Sequence, residues 1–113
     1  MKKIYWRVLV NSTKPIKVDR IIYSFTSILG EVAINSREIY WKDRSLTDVT
    51  ISQLSNCSVH ETFIRVFSVL QKISDHWYVN FESEDFENDC RLSCIAEQIK
   101  IQGIHWVSCD IMD

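Results

Sequence analysis

The chain has 113 residues, enough for one domain spanning 1–113 with a core of its own. With 46% hydrophobic and 25% charged residues, two glycines and one proline, it leaves little room for linkers or disorder. A net charge of −2 argues against a basic nucleic-acid binder, and no apolar run approaches the roughly 20 residues that cross a bilayer, so no membrane partner is expected.

Taken in order, Ile4 to Val10 alternates as a strand, with Ile4, Trp6, Val8 and Val10 on one face and Tyr5, Arg7 and Leu9 on the other. Pro15 suits the first turn of a helix. Val18, Ile21, Ile22, Phe25, Ile28 and Leu29 then hold helical spacing up to Gly30, a natural stop. Glu31–Ile34 and Glu38–Lys42 are short β-type runs, and Asn35-Ser36-Arg37 between them predicts a hairpin. Thr47 to Ile51 is alternating and β-branched, hence a strand.

Ser58 to Ile73 is the clearest helix. Ser58 and Glu61 have capping-box spacing, and Val59, Phe63, Val66, Phe67, Leu70 and Ile73 form one apolar stripe that must be covered by a sheet. His76 to Phe81 alternates again, with Trp77, Val79 and Phe81 on the apolar side. Residues 88–101 fit either state: Leu92 to Ala96 could be strand, but Asn88 as a cap, Asp89 and Lys100 at the matching dipole ends and Gly103 as an exit favour helix. Ile104 to Ile111 closes the chain as a strand. This order predicts an α+β two-layer sandwich, a mainly antiparallel sheet with two or three helices on one face, in a ferredoxin-like arrangement.

One sheet face would then stay open. Alternation places Trp6, Trp41 and Trp77 in the core with Ile39, Val79 and Phe81, and Tyr5, Tyr40 and Tyr78 on the open face with Arg7, Lys42 and Asn80. In the last strand His105, Val107, Cys109 and Ile111 look inward, leaving Trp106 and Asp110 outside. Such a surface either covers a sheet with cross-strand aromatic pairs or supplies anchors for a partner.

Charge is uneven along the chain. Residues 1–50 hold nine Lys or Arg against five Asp or Glu, and residues 51–113 hold four against ten. Five of those carboxylates, Glu82, Glu84, Asp85, Glu87 and Asp89, fall within eight residues; such a run is either a solvated loop or a docking surface for something basic.

Catalytic signals are sparse. His60, His76 and His105 lie on different elements, and Gly30 and Gly103 are the only glycines, which excludes phosphate-loop and dinucleotide fingerprints. Cys57, Cys90, Cys94 and Cys109 are expected to be reduced, and the start of the chain lacks the pattern of a signal peptide. Cys90 and Cys94 could be drawn with His76 or His105 as a zinc site, but a structural site usually needs a second matching pair, so neither metal nor cofactor is expected.

Small size, α+β build, reduced cysteines, many aromatics, an acidic cluster and no catalytic constellation together resemble the small immunity proteins with which bacteria neutralise the toxin domains of contact-dependent growth inhibition and related polymorphic toxin systems. The resemblance implies a cytoplasmic, non-catalytic inhibitor. Its partner would be a cognate toxin, a nuclease with a basic active site that Glu82, Glu84, Asp85, Glu87 and Asp89 occlude. The alternative from a different class is RNA binding, with Tyr5, Tyr40 and Tyr78 stacking on bases and Arg7 and Lys42 meeting phosphates.

Overall fold

A computed structural model describes the backbone of residues 2–85 and 89–112, and their side chains outside 82–90. The elements run β1 (Lys2–Val10), α1 (Pro15–Leu29), β2 (Ala33–Ile39), β3 (Thr47–Ser55), α2 (Val59–Ile73), β4 (Tyr78–Asp85), β5 (Asp89–Ala96) and β6 (Ile104–Met112). The strands make one sheet in the order β2-β3-β1-β6-β5-β4, antiparallel at every junction. Register fixes the two faces. Trp6 stands opposite Ile51 and Cys109, and its ring meets Phe25 of α1 edge-on at 5.8 Å. Ile4, Ile111, Leu92 and Phe81 form the next row of the same face, where Phe81 meets Phe63 of α2 at 6.0 Å. Both helices therefore cover one face, an α+β arrangement compatible with a two-layer sandwich. The strand order is not the simple ferredoxin pattern, because β5 and β4 extend the sheet beyond β6.

Both helices form where periodicity and end signals place them. Pro15 opens α1, and Gly30, at φ 90°, ends it with its N–H donating to the Thr26 carbonyl. In α2 the Ser58 hydroxyl accepts from the Glu61 amide at 3.2 Å. The buried stripe of α2 includes Thr62, hydrogen-bonded to Ser55 at 2.9 Å, whereas Phe67 of the predicted stripe is exposed.

Several expectations are overturned. Residues 89–96 are strand: Leu92, Cys94 and Ala96 are buried while Arg91 and Ile95 are exposed, a period of two that the apparent cap and dipole signals masked. Gly103 is no helix exit; it precedes β6 at φ 92°, where an added Cβ would stand 2.5 Å from Ile21. The predicted hairpin over 31–42 is one strand, β2, which runs through Asn35–Arg37 with a bulge between Ile34 and Ser36 and pairs with β3. With no glycine to turn on, the segment stays extended along its neighbour. β4 begins at Tyr78 rather than His76 and continues into the acidic run.

The expected core is corrected at the margins of the sheet. Trp41 is 77% exposed, and Ile39, Val79 and Phe81 are exposed as well, because β2 and β4 are the outermost strands and Trp41 lies past the end of β2. Trp77 precedes β4, half-buried, its ring N–H donating to the carbonyls of Leu70 and Ser74. His105 is exposed rather than inward, next to the register shift between Leu9 and Val10.

Candidate functional site

On the face without helices, Arg7 is the organising residue. It projects from β1, near the centre of the sheet, and its guanidinium binds Asp48 of β3 through two nitrogens, Nε at 3.0 and 3.2 Å and one terminal nitrogen at 2.7 Å. That hydrogen bonding holds the Arg7 pKa above its ordinary value. The guanidinium carbon lies 5.4 Å from the Tyr40 ring centre and 5.9 Å from that of Trp106, so two aromatic rings bracket one cation.

The connection between β2 and β3 creates this arrangement. The Tyr40 N–H donates to the Leu46 carbonyl, and the Asp43 carboxylate accepts from both the N–H and the hydroxyl of Ser45, which lowers its pKa. The turn folds Leu46 over Leu9 and buries both, so this end of the open face is not open. Between the turn and β6 lies a cleft of about 430 Å³, floored by Leu9 and Leu46 and rimmed by Lys42, Asp43 and His105. Trp41 does not line it; its exposed ring meets Tyr40 edge-on at 6.3 Å, with the Lys42 ammonium 5.0 Å from it.

Of the expected aromatic surface, Tyr40, Trp106, Arg7 and Lys42 come together. Tyr5 sits one same-face position along β1, half-buried. Tyr78 does not join them: it stands opposite Ile95, which faces Ser108, which faces Arg7, three strand spacings or about 14 Å away. Three tyrosines therefore do not make one stacking platform.

The acidic run divides between two strands. Glu82, Glu84 and Asp85 belong to β4 and Asp89 to β5, with Glu82 opposite Arg91 and Asp85 opposite Asp89; Glu87 lies outside the described residues. Ahead of these acids, β4 exposes Tyr78 (71%), Val79 (52%) and Phe81 (44%) at the margin of the sheet, beside exposed Phe67 of α2. Sequence reasoning missed this apolar edge. The only signal was the adjacency of Tyr78-Val79-Asn80-Phe81 to the acids, since alternation alone assigned Val79 and Phe81 to the core.

Two of the thiols are shielded by burial. Cys94 and Cys109 face each other across β5 and β6, both buried; burial first, then Asp110, pushes the Cys94 thiol up to about 11, and burial pushes Cys109 well above its ordinary value. Among the described residues no group of three or more His, Cys, Asp or Glu could hold a metal ion, and no helix is long and apolar enough to cross a membrane. Compared with protein-family models, with curated proteins and with solved structures, the chain has no significant match to any of them.

Proposed function

We propose that this chain is a non-catalytic binding domain that neutralises a basic partner by covering it, an immunity protein acting in the bacterial cytoplasm on a nuclease toxin. The observation that carries the reading is the placement of the acids. Glu82, Glu84 and Asp85 belong to the outermost strand of the sheet, so their backbone is part of the ladder rather than of a connecting loop. Asp85 opposite Asp89 sets like charges across the ladder, an arrangement unfavourable for the hairpin alone and relieved by a cationic partner. A nuclease site that holds phosphates offers those cations. The fold reading that goes with this function is a ferredoxin-like core of β1, α1, β2, β3, α2 and β6, with the β4–β5 hairpin inserted before the last strand.

The test replaces Glu82, Glu84 and Asp85 by Gln, Gln and Asn and measures association with the product of the adjacent gene. The expected result is at least a tenfold loss of affinity, about 1.4 kcal/mol, and a flatter salt dependence of the association rate, with the thermal midpoint unchanged or raised. Unchanged binding would reject the acidic interface. The second reading, single-stranded RNA on the open face, draws on the Tyr40–Arg7–Trp106 cluster beside Lys42. It is the weaker one, because Asp48 already engages Arg7 and Asp43 stands at the rim. Quenching of Trp106 fluorescence by oligouridylate, lost in Trp106→Phe, would revive it.

A further inference from the structure

β4 is the outermost strand on its side of the sheet, so among the described residues no strand lies along its outer side, where successive amides and carbonyls alternate. Natural edges are blunted by bulges, prolines, lysines or charges that point inward. From Tyr78 to Phe81 β4 has none of these. Its ladder with β5 is regular from Tyr78 to Ser83, and apart from Asn80 the residues it exposes up to Phe81 are apolar, on both faces: Val79 and Phe81 on the helix side with Phe67, Tyr78 on the other side with Ile95. Exposed apolar side chains above and below an open hydrogen-bonding edge are what an added strand requires, since its alternate side chains pack on either face.

We infer that this edge receives an extended segment of the basic partner, which joins the sheet as a seventh strand alongside β4. The inference rests on the binding function proposed above and specifies how the partner docks. The acids choose the occupant. A strand lying antiparallel to β4 sets apolar residues beside Val79 and Phe81 and Lys or Arg beside Glu82 to Asp85. A second copy of this chain fits poorly. Paired about Val79, antiparallel copies keep only Tyr78 to Asn80 within the strand, a ladder of three residues; paired about Asn80, they set Tyr78 against Glu82; paired about Phe81, they set Tyr78 against Glu84; paired about Glu82, they set carboxylate against carboxylate. Parallel copies in register bring every acid beside its twin. A basic segment has none of these conflicts.

The probe is a nine-residue peptide of alternating Thr and Val with three lysines in its first half, titrated into the ¹⁵N-labelled chain. Two further peptides carry glutamates in place of the lysines, or N-methyl groups on alternate backbone amides. The expected result is that the lysine peptide shifts the amides of β4 and not those of β2, while the glutamate and N-methyl peptides each bind at least tenfold more weakly. Val79→Lys should lose at least tenfold with an unchanged thermal midpoint, and Phe81→Lys at least tenfold with a midpoint lowered by the lost contact with Phe63. Because both residues are half-exposed and independent, either variant suffices if the other fails to fold.

Three results would overturn strand addition: equal binding of the N-methyl peptide, no shift of the β4 amides by the lysine peptide, or sedimentation of the free chain as a dimer that Val79→Lys dissociates. The first leaves the acidic surface intact as a charge contact. The reverse pattern, sensitivity to N-methylation with indifference to Glu82→Gln/Glu84→Gln/Asp85→Asn, keeps the added strand and rejects occlusion by acids.

Discussion

At one margin of the sheet β2 shows side chains that are exposed throughout, and at the other β4 shows Tyr78, Val79 and Phe81; the two differ in how they meet a stray strand. β2 is interrupted by a bulge at Ile34/Ser36, and Arg37 is drawn across to the N-terminal part of α1, binding the Asp19 carboxylate and the Pro15 carbonyl. These devices twist the edge and place charge on it. β4 has its own register shift, between Ser83 and Asp85, but it runs regular from Tyr78 to Ser83 and is anchored from behind, with Phe81 packed on Phe63 and the Trp77 ring tied to the end of α2. One edge is defended by polar surface contacts; the other is held by aromatic packing while its outer side stays accessible.

That contrast predicts unequal costs. Phe63 is buried and also meets Phe67 at 6.2 Å, so Phe63→Ala should remove about 3–4 kcal/mol of stability in urea unfolding. Amide exchange should then rise first in β4. If β2 loosens first instead, the account of what anchors each edge is wrong. Arg37→Ala, on the exposed ion pair, should cost under about 0.5 kcal/mol in the same measurement.

Each edge also carries a pair of carboxylates opposite one another, and Arg7 separates the two cases. Glu38 of β2 faces Asp48 of β3, but Asp48 is engaged by the Arg7 fork. Arg7→Ala should leave both acids facing one another and cost about 1–2 kcal/mol, Asp48 being only partly exposed. Arg7→Lys should recover less than half of that, since an ammonium cannot make the forked contact under Tyr40 and Trp106. Full recovery by lysine would reduce the site to a simple charge pair.

What the sequence made legible is local. Helical spacing with Pro15, Gly30 and Ser58 at the ends located α1 and α2, and alternation located β1, because those signals lie within one element. What it hid is relational. Leu92, Ile95, Ala96 and Ile99 satisfy a helical face as well as Leu92, Cys94 and Ala96 satisfy a strand, and only pairing of β5 with β4 and β6 decides between them. Likewise, alternation gives Val79 and Phe81 a face but not a neighbour. Whether a strand is central or outermost depends on contacts far along the chain, and so does the meeting of Tyr40 and Trp106 over Arg7.

The half of the sheet that includes β4 should also respond to alkali. Cys94 is the β5 residue facing β6, and its folded pKa is raised from 9.0 to about 11, so the folded state favours the protonated thiol. The sign follows: this stabilisation is complete below about pH 9 and is lost as pH rises through 11. The urea midpoint of the parent should fall between pH 9 and 11 more steeply than that of Cys94→Ala, whatever the cavity costs at neutral pH. Parallel slopes would remove the thiol from the account.

The smallest effect has the opposite sign and tests whether the β4 edge is kept unfavourable for the sake of a partner. Asp85 and Asp89 face each other at the far end of the β4–β5 ladder, and like charges directly opposite destabilise an antiparallel pair by about 0.2–1 kcal/mol. Asp85→Asn removes one of them, so it should raise stability by a few tenths of a kcal/mol and up to about 1. The gain should shrink in 1 M NaCl, where screening shortens to about 3 Å. Glu38→Gln, the matching change at the other edge, should give no such gain, because Arg7 already compensates Asp48. If Asp85→Asn is neutral while Glu38→Gln stabilises, the repulsion sits at the wrong edge and the acids of β4 lose their claim to await a cationic partner.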